Sequence, residues 1–505
     1  MRLGNGSGRL HKAVWSSATS AIYQVCSIIC GFILPRMILG AYGSAYNGVV
    51  SSITQFFSFF SVLQAGIQGA TRVALYKTIA NNDNAGTSSI MAANSQYYRR
   101  MSYGLVGYIV ILSFVFPFMI KDNIDKTDII CLVLIIGLSN FVQYFFGTAY
   151  KTIITAHQEN YILNIFQTIT VIANTLVCSI SIMLGYSIII AKLSSAICYS
   201  INPILIYIYA NRKYRINKQA KPDNKALKGR WDALANSIAN IVHENVDVVF
   251  ITMFLSAVEV SVYSVYSLVA LGMTRIIQVF TNGMEPAFGD IWAKKQIEQL
   301  NVNFNKYEYV MYSLAEFLSG CMMVLIIPFV KIYTSGVTDA NYIRNLLGFL
   351  LSISVFTMSI RMPYVTMVQA AGHYKQTKVG SFTEAMINIV LTLILINVIG
   401  IEGAIIGTIV ANTFRSIQYG LYTSKNILNR PFSFFIKRLL WSIITLALSV
   451  SMSFLITSMI RIDNWVGWIV KACITALINA ICLLITSQIF YKRDLNLVIH
   501  SFIRK

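Results

Sequence analysis

Apolar runs long enough to cross a membrane recur along nearly the whole chain, and short polar segments separate them. Each run is roughly 18–25 residues long, and a helix of about 20 apolar residues spans a bilayer. The alternating strands of a membrane β-barrel do not appear in the sequence. We therefore predict an all-α polytopic membrane protein with about fourteen helices, near 13–38, 44–66, 101–120, 128–149, 160–184, 187–209, 232–255, 260–282, 309–332, 345–368, 376–398, 401–424, 436–460 and 464–490.

A pattern of residues in the first half of the chain recurs in the second half. One set recurs at an offset of 217 residues and pairs Tyr46, Gly66, Ala70 and Lys77 with Tyr263, Gly283, Ala287 and Lys294. Another set recurs at offsets of 213–215 residues and pairs Tyr150, Thr152, Ala156, Asn174, Gly185 and Tyr209 with Tyr364, Thr366, Ala370, Asn388, Gly400 and Tyr422. Many transporters are built from two such repeats, which move against each other around a site at their interface.

The repeat predicts how the chain is divided. We expect an N-lobe of six helices over 1–210, a basic linker over 211–230 and a C-lobe of six helices over 231–430. Two further helices would follow over 431–490, and a tail would occupy 491–505.

Charge supports a membrane location. Only 12% of the residues are charged, whereas a soluble domain has about 25%. The net charge of +20 would suggest nucleic acid in a soluble protein. Here most Lys and Arg residues fall on one side if the N-terminus is cytosolic, as the positive-inside rule requires. We therefore expect a multi-pass membrane protein with both termini cytosolic, in contact with anionic lipids and not nucleic acid.

The sequence offers no motif for catalysis or for a cofactor. The eight cysteines all lie in apolar segments without a CxxC pair, so they are interpreted as packing residues and not as metal ligands. P-loop and HExxH motifs are absent, and the predicted outer loops are too short for a catalytic domain. We predict that the chain is not an enzyme and uses no cofactor.

Polar residues interrupt the predicted helices at spacings that place them on one helix face. Because polar groups are costly in hydrocarbon, such faces often line a cavity. We expect helices 1, 2, 7 and 8 to line a water-filled cleft with Gln24, Ser27, Asn47, Gln55, Asn240, Glu244 and Asp247. Glu244, Asp247 and His243 are the candidates for ion coupling.

The cations within the predicted membrane helices can be interpreted in two ways. Arg275 and Arg361 lie in the inner halves of predicted helices 8 and 10, where they would meet an anionic substrate from the cytoplasmic leaflet. Alternatively, each arginine ties two helices together, for example through Glu316 or Glu384, and Glu384 could also pair with Arg415. Lys151 and Arg72 lie near cytosolic helix ends, where reaching out to lipid headgroups is the usual behaviour.

Three stretches of the chain resemble the multidrug/oligosaccharidyl-lipid/polysaccharide exporter superfamily. They are LPRMILGAYGSAYNGVVSSITQFFSFFSVLQAGIQGATRVALYK (34–77), ANSIANIVHENVDVVFITMFLSAVEVSVYSVYSL (235–268) and VTMVQAAGHYKQTKVGSFTEAMINIVLTLILINVIGIEGAIIGTIVAN (365–412). The chain looks most similar to the flippases of O-antigen, capsule and exopolysaccharide repeat units.

The resemblance implies a V-shaped pair of six-helix lobes with alternating access. The substrate would be an undecaprenyl-diphosphate-linked oligosaccharide, and polymerase and chain-length proteins would be partners. Arg36, Arg72 and Arg275 lie where relatives place cavity cations. Arginine suits the diphosphate because it is permanently charged and can pair with phosphate bidentately.

Other functions remain open at this point. A multidrug or organic-cation antiporter of the same fold needs an acidic cavity, which Glu244 and Asp247 could supply, whereas Arg275 and Arg361 argue against it. The sequence hardly distinguishes a peptidoglycan-precursor flippase from a flippase of polysaccharide repeat units. A membrane glycosyltransferase or polymerase would need a larger outer loop for acid–base chemistry.

Overall fold

The structure, a computed structural model, describes residues 5–214, 216–217, 219–223, 245–282, 284–460 and 464–503. Within these ranges the chain forms helices and no β-strand, as predicted. The helices are α1 (Asn5–Phe60), α2 (Val62–Ala80), α3 (Asn84–Met119), α4 (Lys126–Val142), α5 (Thr148–Ala156), α6 (Asn160–Met183), α7 (Ile188–Tyr214), α8 (Asn245–Phe254), α9 (Ala257–Asn282), α10 (Glu285–Ala293), α11 (Ile297–Tyr333), α12 (Asn345–Ala370), α13 (Tyr374–Ile399), α14 (Ile401–Asn426), α15 (Ser433–Thr457), α16 (Trp465–Phe490) and α17 (Lys492–Ile503). A π-helical turn, Gln143–Gly147, joins α4 to α5.

Eleven helices among the described residues are long and apolar enough to cross a membrane, which makes this a multi-pass membrane protein. The predicted number of fourteen is not confirmed. One of the eleven, Val14–Phe60, covers most of the first two predicted helices. They meet at Gly43, whose φ of 85° and ψ of 176° break the helix, and glycine adopts this positive φ without a steric penalty.

Some predicted helix bounds are wrong, for two different reasons. The second predicted helix does not reach residue 66, because the chain turns at Ser61 and begins α2. The helices expected to begin at 101 and 309 begin instead at Asn84 and Ile297, and contain 36 and 37 residues. Their first turns are polar, so hydropathy could not find them. At 1.5 Å per residue, both helices exceed the roughly 30 Å of the hydrocarbon core.

The chain forms two compact units, Met1–Ser261 and Val262–Lys505. In the first, α1 packs on α6, α6 on α7, and α4 on both α3 and α7. In the second, α14 packs between α12 and α13, and α11 packs against α12, α15 and α16.

The turns between helices carry a trace of the repeat. Asn82, Gln158 and Gly185 have left-handed backbone conformations, and so do Lys295, Gly372 and Gly400. Corresponding residues are 213, 214 and 215 positions apart, which matches the second set of sequence offsets. The superposition of 10–210 on 231–425 stays a prediction.

Candidate functional site

Two cations of the first unit, Arg72 and Lys151, are half-buried and have no anionic partner among the described residues. Arg72 lies on α2, and its Nε is buried with no hydrogen-bond acceptor among the described residues. Lys151 lies on α5, which packs against α2, and the described residues offer it no ion pair. Because a buried cation is costly unless it is paired, these two side chains are suited to an incoming anion.

Hydrogen bonds fix the helices that carry these two cations. The Thr71 hydroxyl donates to Asn94 Oδ1 of α3 at 3.3 Å, and Asn94 Nδ2 donates to the Ala149 carbonyl of α5 at 3.2 Å. Both Thr71 and Asn94 are fully buried. The residues beside Arg72 and Lys151 are therefore held in place from one helix to the next. From its sequence position, Lys151 was expected to contact lipid headgroups. Only its burial in the structure makes it a candidate for binding an anion.

Arg361 is already paired in the second unit. Its guanidinium forms an ion pair with Glu384 of α13, and Glu384 Oε2 also lies 3.4 Å from Nε of Arg415 on α14. The suggested ion pair between Glu384 and Arg415 is therefore present. One carboxylate serves two arginines, so the cluster keeps a formal charge of +1. This arrangement favours the hypothesis that Arg361 ties two helices together over the hypothesis that it binds substrate.

Arg415 is fixed from several directions. It donates to the Thr377 carbonyl at 3.0 Å, to Ser381 Oγ at 2.6 Å and to the Tyr419 hydroxyl at 2.7 Å. Its guanidinium also lies 4.0 Å from the centroid of the Tyr419 ring. With only 1% of its surface exposed, Arg415 joins α13 to α14 and is closed to a substrate.

The polar face of the second half of α1 meets α8 and the start of α9. Three hydrogen bonds connect them, from Asn47 to Ser261 at 2.7 Å, between Ser52 and Thr252 at 2.8 Å, and from Ser58 to Asn245 at 2.9 Å. We call this contact the α1–α8 seam. Gln55 also donates to Asn245. The predicted lining residues Asn47 and Gln55 thus both lie in this seam.

The turn between α8 and α9 is held closely against α1 and the segment after α3. A Cβ at Gly48 would lie 1.7 Å from the Ala257 carbonyl oxygen, so only glycine allows this approach. Lys121 Nζ donates to the Phe254 carbonyl at 2.6 Å, and Asp122 accepts from the Ala257 N–H at 2.6 Å. These contacts extend the α1–α8 seam to its end.

The remaining predicted site residues are spread over three helices. Gln24, Ser27 and Arg36 are half-buried on the first half of α1, and Arg275 is half-buried on α9. Asp247 is buried on α8. Asn240, His243 and Glu244 lie outside the described residues.

Sequence reasoning missed an ionic cluster around Glu159, which lies between α5 and α6. Its carboxylate accepts from Lys213 at 2.6 Å, from the Tyr214 hydroxyl at 2.8 Å and from Lys12 at 2.9 Å. Burial raises the pKa of this carboxyl, but the hydrogen bonds from Lys213, Lys12 and Tyr214 outweigh burial and lower the pKa to about 2. The cluster ties the beginning of α1 to the end of α7.

The second unit contains an apolar cavity of about 490 Å³ between α11, α12, α14 and α15. Its walls are almost entirely aliphatic and aromatic, and only four hydroxyl-bearing side chains, among them Thr357 and Ser416, reach it. Such a cavity suits a hydrocarbon chain and offers nothing to a charged group.

Solved structures of membrane transporters share this fold. The lipid II flippase MurJ, in an inward closed conformation, matches with a TM-score of 0.64 and 17% identity over 94% of this chain and 98% of that one. An inward-facing multidrug resistance MATE family transporter of the MOP superfamily matches with a TM-score of 0.60 and 13% identity over 81% of this chain and 94% of that one. No protein-family model and no curated protein sequence matches.

A third structure has the same fold and a different pocket. It is a MOP superfamily transporter from Pyrococcus furiosus, described as having a binding pocket of reverse polarity, and it matches with a TM-score of 0.62 and 14% identity over 85% of this chain and all of that one. The chain therefore has the all-helical fold of MATE transporters and lipid flippases. At these identities the likeness concerns the fold, so function has to be argued from the side chains.

Proposed function

We propose that the chain is a MOP superfamily flippase that moves an undecaprenyl-diphosphate-linked oligosaccharide repeat unit across the bacterial cytoplasmic membrane. The observation that carries this proposal is that Arg72 and Lys151, on neighbouring helices of the first unit, have no anionic partner among the described residues. A diphosphate would supply the missing anion. The apolar cavity of the second unit suits a prenyl chain.

Whether a cation already has a carboxylate partner also bears on which cations bind the diphosphate. Arg361 shares Glu384 with Arg415, so a diphosphate would have to compete with an existing carboxylate. Arg72 has no such competitor among the described residues. We therefore assign the diphosphate to Arg72 and Lys151, with Arg36 and Arg275 as further cations of the same pathway and Arg361 in a structural role.

A peptidoglycan-precursor flippase is the second candidate, and one observation favours it. MurJ aligns with 94% of this chain, whereas the MATE transporter aligns with 81%. The lipid II flippase therefore matches more of this chain than the MATE transporter does. An organic-cation antiporter would use Asp247 instead of the arginines. None of these readings makes the chain an enzyme.

The alternating-access cycle gives the α1–α8 seam a role. By the sequence repeat, α1 belongs to the first lobe and α8 to the second, so the seam would close one side of the pathway and open to release substrate. Both termini and the linker over 211–230 would be cytosolic, with polymerase and chain-length proteins acting on the exported unit.

Binding of undecaprenyl diphosphate to the purified chain tests the proposal. Titration followed by native mass spectrometry should show saturable binding, and tetraphenylphosphonium should not compete. Each charge-assisted contact is worth about 1.5–3 kcal/mol, so Arg72→Ala and Lys151→Ala should each weaken binding by roughly ten- to a hundredfold. Lys437→Ala, which removes an exposed cation of α15, is the matched control. Equal binding by all three variants would refute the assignment.

A further inference from the structure

Helix α11 carries two buried carboxyl groups, and only Glu308 belongs to a balanced set of charges. Glu308 pairs with Arg430 at 2.5 Å and lies 3.5 Å from Nε of Arg438. Arg438 also pairs with Asp494 at 2.7 Å. Two arginines thus face two carboxylates, and the four side chains are neutral as a group.

Glu316 lies two helical turns after Glu308 and outside that balance. It is 8% exposed, and its hydrogen bond comes from the hydroxyl of Ser442 on α15. The cation of α15 that faces it is Arg438, one turn before Ser442. All three nitrogens of Arg438 are already occupied, by Glu308, by the Asn305 carbonyl at 3.3 Å and by Asp494.

Among the described residues, Glu316 forms no ion pair with the other helices packed on α11, and Arg361, the cation of α12, is paired with Glu384. Tyr491, between α16 and α17, faces it with a phenol. Lys471 is the buried cation of α16, but it lies about two turns before Asn479, towards the beginning of α16. Asn479 contacts Cys321, and Trp468 donates to the Leu325 carbonyl, so this direction along α16 leads away from Glu316.

We propose that Glu316 is a proton-binding site of the chain, which holds its carboxyl group in the neutral acid form at neutral pH. An unpaired carboxylate within a membrane-embedded bundle costs several kcal/mol. The neutral acid avoids this cost and keeps its hydrogen bond with Ser442. Release of the proton would leave a net negative charge at the contact of α11 and α15, so this contact responds to proton activity. The inference is independent of the substrate assignment.

Infrared difference spectroscopy tests this directly on the full-length protein in detergent at neutral pH. Subtracting the Glu316→Gln spectrum from that of the unchanged protein should show the loss of a protonated-acid C=O band and no loss of carboxylate bands. Glu298→Gln, on the exposed first turn of the same helix, should show the loss of carboxylate bands only. Loss of a carboxylate band in Glu316→Gln would overturn the proposal.

The pH dependence of the melting temperature gives a second test. If folded Glu316 retains a proton that the unfolded chain has released, stability falls as pH rises above the ordinary range of glutamic acid, about 4.3. The Tm of Glu316→Gln should therefore exceed that of the unchanged protein by an amount that grows as pH rises towards neutrality. Glu308→Gln leaves two buried arginines short of a carboxylate and should lower Tm throughout. Failure of the neutral isostere Glu316→Gln to fold, or a constant Tm difference, would contradict the proposal.

Discussion

The side-chain hydroxyls of Ser52 and Thr252 lie 2.8 Å apart, and neither residue is exposed. The two residues are 200 positions apart in the chain and belong to different sequence repeats. Their contact makes the α1–α8 seam accessible to experiment.

Cysteines at Ser52 and Thr252 should form a disulfide on oxidation, because their side chains already point at each other. If the seam opens during transport, the oxidised double variant should lose export and regain it after reduction. Thr54→Cys with Thr252→Cys is the control, since Thr54 is exposed on α1 and should not cross-link. Full export by completely cross-linked protein would show that the seam stays closed during the cycle.

Gly48→Ala should destabilise the seam. The added methyl would lie 1.7 Å from the Ala257 carbonyl oxygen, which the backbone can relieve only by moving apart. Overpacking of this kind costs about 1–3 kcal/mol, so Tm in detergent should fall measurably. Gly31→Ala on the same helix has nothing within 4 Å of its new methyl and should not lower Tm. Equal melting of the two variants would mean that the approach at Gly48 is not tight.

Glu384→Gln should be much more harmful than Arg361→Gln. Loss of Arg361 leaves a neutral pair of Glu384 and Arg415, whereas loss of the Glu384 charge leaves two unpaired cations. Breaking a buried pair in this way costs about 3–5 kcal/mol. Thermal unfolding and the yield of folded protein measure the difference. A larger effect of Arg361→Gln would point to a role for this arginine beyond the pair.

Stability should depend on Glu159 at acidic pH. The folded pKa of about 2 lies below the ordinary value of 4.5, so the cluster contributes its full stability above about pH 4.5 and loses it as pH falls towards 2. Glu159→Gln should therefore lower Tm at neutral pH by an amount that shrinks with acidification. Glu298→Gln, at an exposed carboxyl, should show little effect. A Tm difference that does not change with pH would contradict the ionic role of Glu159.

The sequence was sufficient to predict the fold class, because the long apolar runs and the internal repeat can be recognised from the order of residues alone. It failed at the polar beginnings of α3 and α11, where hydropathy gives no signal for a helix. The break at Gly43 falls in the gap, 39–43, between the first two predicted helices, although the sequence analysis did not single out this glycine. The sequence named Glu384 as a possible partner of Arg361 but could not decide whether the pair forms, since the two residues are 23 positions apart on different helices. The same holds for Lys151, whose burial depends on the packing of α5 against α2.

Reconstituted flipping is the most direct measurement of the central claim, that Arg72 and Lys151 receive a lipid-linked diphosphate. Proteoliposomes would carry a fluorescent polyprenyl-diphosphate disaccharide, and dithionite would quench the label exposed on the outer leaflet. The unchanged protein and Lys437→Ala should make nearly all of the label accessible. The Arg72→Ala, Lys151→Ala double variant, at equal protein content, should flip at least tenfold more slowly. Flipping at an unchanged rate by the double variant would contradict the account.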